Sequence, residues 1–177
     1  MWTPLSDRGA AMKTKRLTTM AILTALALAL SWVERMIPLE LVIPLPGVKL
    51  GLANTVTLFA LYRLNLPSAL LILIARCLLT ALFSGNMTAL AFSLAGGLIS
   101  MGVMALARRS RHLSVYGVSV LGAAGHNCGQ ILIAMLLMHS AYIWGYLPYL
   151  LLIGTACGTA TGAVCAGVLR AVGAMGK

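Results

Sequence analysis

The sequence predicts an all-α, polytopic membrane bundle of about six transmembrane helices, and three observations carry that prediction. Of the 177 residues, 60% are hydrophobic and only 9% are charged, against about 25% charged in soluble domains. The mean hydropathy is +0.97, so the chain cannot cover a water-facing surface with charge. The charges that occur separate apolar runs instead of interrupting them. At about 20 residues per crossing, the length accommodates about six helices with short connections.

Residues 1–12 read as an N-terminal tail without periodicity, and 13–177 as a single six-helix membrane domain. Met12–Arg16 is basic and Leu17–Val33 is apolar and uncharged. That pattern, with Ala27-Leu28-Ala29, imitates a secretory leader. The chain beyond it is equally apolar, which favours a first membrane helix. Glu34 to Lys49 holds Pro38, Pro44 and Pro46 and reads as an outer loop, partly apolar. Leu50–Tyr62 is a short second span, closed by Arg63 and the Asn65-Leu66-Pro67 turn. Pro67 suits the first turn of a third helix, which runs to about Phe83. Ser84-Gly85-Asn86 is a tight turn. The fourth helix covers about Met87–Ala107, the fifth about Val115–Met138 and the sixth about Leu147–Val168.

Orientation follows from counting charges by side. With the N-terminus inside, Arg8, Lys13, Lys15, Arg16, Arg63, Arg108, Arg109, Arg111, Arg170 and Lys177 face the cytoplasm, and only Arg35 and Lys49 face out. That asymmetry predicts both termini in the cytoplasm, in the cell (inner) membrane.

The same placement explains the net charge of +10 without nucleic acid. With Asp7, Glu34 and Glu40 the only acids, chemistry that needs clustered carboxylates is excluded. Cys77, Cys128, Cys157 and Cys165 all lie in apolar runs and form no CxxC pair, so they read as small packing residues. No metal or cofactor is expected.

Small residues recur at four-residue spacing, which lets helices approach closely. Ala21, Ala25 and Ala29 do so on the first helix, beside its basic end. Gly125 and Gly129 repeat it on the fifth, and Gly154, Gly158 and Gly162 on the sixth. The glycines read as packing faces within the bundle; the alanine face is more open to a partner.

Polar residues inside apolar spans are costly and need partners. Arg76 falls near the middle of the third span, where an arginine costs about 2.5–3.5 kcal/mol on insertion scales. It either ties to backbone carbonyls or an amide, or recognises an anionic or carbonyl-bearing ligand through its forked donors. His126 and Gln130 are four apart and share a helical face, with Asn127 at its edge. Three polar residues within five positions favour a polar cavity over simple interhelical glue. Asn54, Asn86, Arg35 and Lys49 belong to the outer half, so a cavity open to the outside would carry a positive field. Tyr142, Trp144, Tyr146 and Tyr149 read as an interfacial aromatic belt.

Three motifs make the chain familiar: Pro46-Gly47-Val48-Lys49-Leu50-Gly51-Leu52-Ala53-Asn54, Ser93 to Ser100 (SLAGGLIS), and Gly122 to Gln130 (GAAGHNCGQ). Over roughly residues 13–170 it resembles the integral-membrane family labelled both heptaprenyl diphosphate synthase component I and Gx transporter. Prenyl chain elongation requires aspartate-rich motifs that hold magnesium and diphosphate, which one Asp and two Glu cannot supply. Under the synthase label the chain would be an accessory subunit or a genomic neighbour of the real enzyme, and no synthase itself. The transporter label fits better, because the chain is similar to the S-components of energy-coupling factor vitamin transporters. That resemblance implies a small-molecule substrate captured from outside. It also implies a docking face at Ala21, Ala25 and Ala29 for a membrane coupling protein that works with ATPase subunits. The substrate-binding positions it implies are Lys49, Asn54, Arg76, Asn86, His126, Asn127 and Gln130. No G-x-x-x-x-G-K-[ST] loop is present, so ATP hydrolysis would come from the partner. A lone secondary transporter using His126 or Arg76 ranks last, for want of an acid within the spans.

Overall fold

The computed structural model describes residues 5–36 and 51–175, with side chains described for 13–34, 36 and 51–173. Six helices follow one another: α1 Leu5–Arg35, α2 Asn54–Arg63, α3 Leu66–Ser84, α4 Met87–Ala107, α5 Val115–Met138 and α6 Leu147–Met175. A 3₁₀ segment at Ala141–Tyr146 joins the last two. Five of these segments are long and apolar enough to cross a membrane.

The helix ends follow from local chemistry. Asn65 caps α3 by accepting from the Ser68 N–H at 3.0 Å, with Pro67 in the first turn. Asn86 caps α4 through the Ala89 N–H at 2.9 Å, and Ser114 caps α5 through that of Gly117. Such caps satisfy N–H groups that have no partner within the helix. Gly85, at φ +61°, closes α3 in the left-handed region. α1 starts at Leu5, inside the stretch expected to be a tail, because Ala10 to Lys13 continue as good helix formers.

α2 differs from the expected second span. Its ten residues rise only about 15 Å, half of the hydrocarbon thickness. A turn at Gly51 (φ +80°) precedes it, with Asn54 N–H donating to Gly51 O at 2.8 Å. Asn54 contacts Arg76, about halfway along α3, whereas the far end of α2 meets Arg108 at the end of α4. α2 therefore begins at half height in the bundle and runs to the arginine-rich end.

Glu34 is a second difference. The loop expectation gives way to a position in the last turn of α1, where the carboxylate is 5% exposed and accepts from the Gly51 N–H. The helix continues through it because a buried backbone donor holds the charge that would otherwise have drawn it to water. Glu40 and Lys49 lie outside the described residues.

The interior is packed through glycines. A Cβ on Gly129 would sit 2.7 Å from Ala95 O and the Gly96 Cα, so α4 and α5 touch backbone to backbone there. Gly158 and Gly162 hold the same relation to Val120 and Tyr116 of α5. The α5–α6 seam is closed by the Ser119 and Thr161 hydroxyls at 2.9 Å. Leu58, Leu61, Ile72, Leu73, Cys77, Met101, Met104 and Cys165 fill the largest core cluster. Tyr142, Trp144, Tyr146 and Tyr149 are exposed, as an interfacial belt requires.

Gly129→Val would force backbone apart and should cost about 1–3 kcal/mol, read as a lower Tm in detergent. Gly102, whose Cβ would meet nothing within 4 Å, supplies the control: Gly102→Ala should leave Tm unchanged or raise it.

Candidate functional site

Arg76 is the centre of the polar interior. It is 6% exposed, in the middle of α3. Nη2 donates to Asn54 Oδ1 at 3.3 Å and Nη1 to Ser31 Oγ at 3.5 Å. Nε is buried and has no hydrogen-bond partner among the described residues. One guanidinium thus touches α1, α2 and α3 and retains a donor.

The network extends outward from Asn54, whose Nδ2 donates to Ser100 Oγ of α4 at 3.3 Å. Ser31 in turn donates to Ala27 O at 2.9 Å. The His126 ring lies against α4, since a Cβ on Gly96 would sit 2.9 Å from its Cε1 and Nδ1. The ring also borders the α2 turn: a Cβ on Gly51 would be 3.8 Å from its Cδ2 and 3.3 Å from Asn54 Nδ2. Glycine at 96 leaves the space that this ring occupies. His126 and Gln130 are both fully enclosed, and each is hydrogen-bonded or in polar contact. The site therefore draws on α1 to α5, with Glu34 bracing the Gly51 end.

The structure brings some of the expected residues together and separates others. Asn54, Arg76 and His126 converge, and Gln130 shares the His126 face one turn along. Asn127 points the other way and donates to Leu150 O of α6 at 2.6 Å, packed against Gly154. Asn86 is an exposed helix cap. Lys49 lies outside the described residues.

Ser31, Glu34 and Ser100 belong to the network without having been singled out from sequence. Ser31 and Glu34 are three apart on one helical face, a signal that was available. Serines in membrane helices otherwise hide by bonding back to their own helix, as Ser31 and Ser93 do. Glu34 also corrects the expectation that no acid lies within the spans, since it ends the first apolar segment.

Electrostatically the site pairs a buried guanidinium with a buried carboxylate through one helical turn. Glu34 holds Gly51, and Arg76 holds Asn54 three residues on. The oxygen, amide and imidazole groups around them suit hydrogen bonding to a carbonyl, carboxylate or phosphate. Among the described residues, no group of three His, Cys, Asp or Glu is placed to hold a metal ion.

On the opposite surface of the core, Ala21, Ala25 and Ala29 are exposed along α1, while Ala27 and Leu23 face inward. Small side chains thus form an open stripe with exposed Ile22, Leu26 and Val33 beside it.

Residues 23–168 match the family described as heptaprenyl diphosphate synthase component I. The chain belongs to that family. The match includes all three motifs and every residue of the Arg76 network. No curated protein and no solved structure matches the chain. The five apolar helices make this a multi-pass membrane protein, and the family's description names one component of a synthase.

Two substitutions separate scaffold from site. Asn86→Ala removes only a cap and should cost about 1 kcal/mol of stability. Asn127→Ala should cost about 0.6 kcal/mol, the average for interhelical bonds in membranes. Thermal unfolding in detergent measures both, and a loss above about 3 kcal/mol for Asn86→Ala would contradict its assignment as a cap.

Proposed function

We propose that this protein is the substrate-binding membrane subunit, similar to an S-component, of a small-molecule importer. The ligand it captures from the outer side is small and partly apolar, with an anionic or carbonyl group. The observation that carries this reading is Arg76. A mid-span arginine is expensive, and a purely structural one would use its donors fully. This one keeps Nε without a partner among the described residues, while Nη2 binds Asn54. In the proposal Arg76 and Asn54 hold the polar group, and His126 and Gln130 form the adjoining wall. Asn127 supports α6 against that wall. Asn86 positions α4, and Lys49 completes the proposed set of binding residues.

The exposed Ala21, Ala25 and Ala29 stripe supports docking of a membrane coupling protein, itself joined to ATPase subunits. The charge asymmetry supports cytoplasmic termini in the cell membrane, and residues 13–177 act as one domain.

The family description supplies a second reading, a non-catalytic accessory subunit associated with prenyl diphosphate or quinone biosynthesis. It competes because the chain's single Asp and two Glu cannot form a diphosphate–magnesium site. The two readings differ in what accompanies the protein.

Native mass spectrometry of tagged protein, extracted gently from its own membranes, distinguishes them. A retained small-molecule adduct supports capture, whereas a bare chain or one bound to a prenyl synthase supports the accessory role. Arg76→Ala should lower adduct occupancy about tenfold or more, the scale of hydrogen bonds to a charged group, with an unchanged gel-filtration profile. Undiminished occupancy would remove Arg76 from the site. Ala25→Trp should abolish co-purification of the coupling protein while leaving the adduct in place.

A further inference from the structure

A second feature lies at the opposite end of α2 from the Arg76 network. A cavity of about 220 Å³ is lined by Leu61, Leu66, Ala105, Arg108 and Arg109. It opens where the ends of α2 and α4 meet the start of α3. Its lining joins three apolar side chains to two guanidinium groups. We propose that this cavity is a binding site for the phosphate headgroup of an anionic phospholipid, with the first part of an acyl chain against Leu61, Leu66 and Ala105.

Three observations support the assignment. Arg108 is held in place: it donates to Leu61 O, and its guanidinium lies 5.0 Å from the centre of the Tyr62 ring. An arginine that served only as a membrane anchor would be free to sample the interface. Here one donor satisfies a terminal carbonyl of α2, and a fork with five donors retains others. Arg109 is exposed, and its guanidinium has no partner among the described residues.

Charge is the second observation. Arg16, Arg63, Arg108, Arg109 and Arg111 all lie at this end of the helices, and the acids of the described side chains do not include one there. Arg16 is consumed by Asn65 and Ser68, which it binds at 2.9 and 2.6 Å. Of the others, Arg108 and Arg109 are the two that line the cavity, with no carboxylate beside them among the described side chains. Position is the third. Span ends coincide with the level of lipid phosphates, and basic pockets between membrane helices recognise such headgroups. This inference does not depend on the importer reading, because the cavity and the Arg76 network share no residue.

The test uses the full chain in detergent with dioleoyl phosphatidylglycerol as probe and native mass spectrometry as readout. Wild type should retain one phosphatidylglycerol and not phosphatidylcholine. Arg109→Ala should lower retention about fivefold, the scale of one arginine at an anionic surface. Arg111→Ala removes the same charge outside the cavity and should change retention little. Equal losses from Arg109→Ala and Arg111→Ala would overturn the site in favour of general charge attraction. Equal retention of phosphatidylcholine would do the same. Displacement of the lipid by an equal concentration of inorganic pyrophosphate would show a free-phosphate site and overturn the lipid assignment. Displacement only by farnesyl diphosphate would reassign the apolar lining to a prenyl chain, and so would also overturn it. Arg108→Ala is read only alongside a Tm measurement, since that residue also ties α4 to α2.

Discussion

A guanidinium at the middle of a membrane bundle must be solvated by protein, and much of this fold is arranged around that requirement. Arg76 cannot reach the interface from the centre of α3, so neighbouring helices supply oxygens to it. Ser31 comes from α1 and Asn54 from α2. Asn54 does so from the first residue of α2, which begins at half height in the bundle.

Starting a helix inside a membrane creates its own difficulty, because the first N–H groups lack partners. Irregular backbone at that depth is tolerated only where protein encloses it. Here the Asn54 and Thr55 N–H groups donate back to Gly51 O and Leu52 O, and Glu34 accepts from the Gly51 N–H in the turn just before the helix. Arg76 and Glu34 therefore brace the same turn from α3 and α1. Each charge thus has a protein partner at a depth where unpartnered charges are costly. The glycine at 96 then leaves room for His126 against the same region.

The remaining helices form a different kind of support. α4, α5 and α6 pack through small residues at backbone distance, with hydroxyl and amide bonds along the seam. Lipid offers no hydrophobic reward for helix association, so close van der Waals approach and buried hydrogen bonds do the holding. That rigid block carries the His126 and Gln130 face. α1 contributes Ser31 and Glu34 inward yet leaves its alanine stripe open, so one helix serves both the polar interior and an outer surface.

Helix number, the boundaries of α3, α4 and α5, and the polar character of Arg76 and His126 were legible in the residues. Hydropathy, caps and glycine turns act over a few positions, and such local rules can be read along a chain. The half-length of α2 and the burial of Glu34 were not legible. A glutamate beside three prolines resembles a loop residue until its contact 17 positions away with Gly51 is known. Asn127 shows the same limit: beside His126 in sequence, it faces α6 because adjacent helical residues point about 100° apart. Composition and periodicity determined that this chain is a membrane bundle with costly polar groups inside. Only tertiary structure decided which of those groups meet, because their partners are set by helix height and rotation, and neither is written in local spacing.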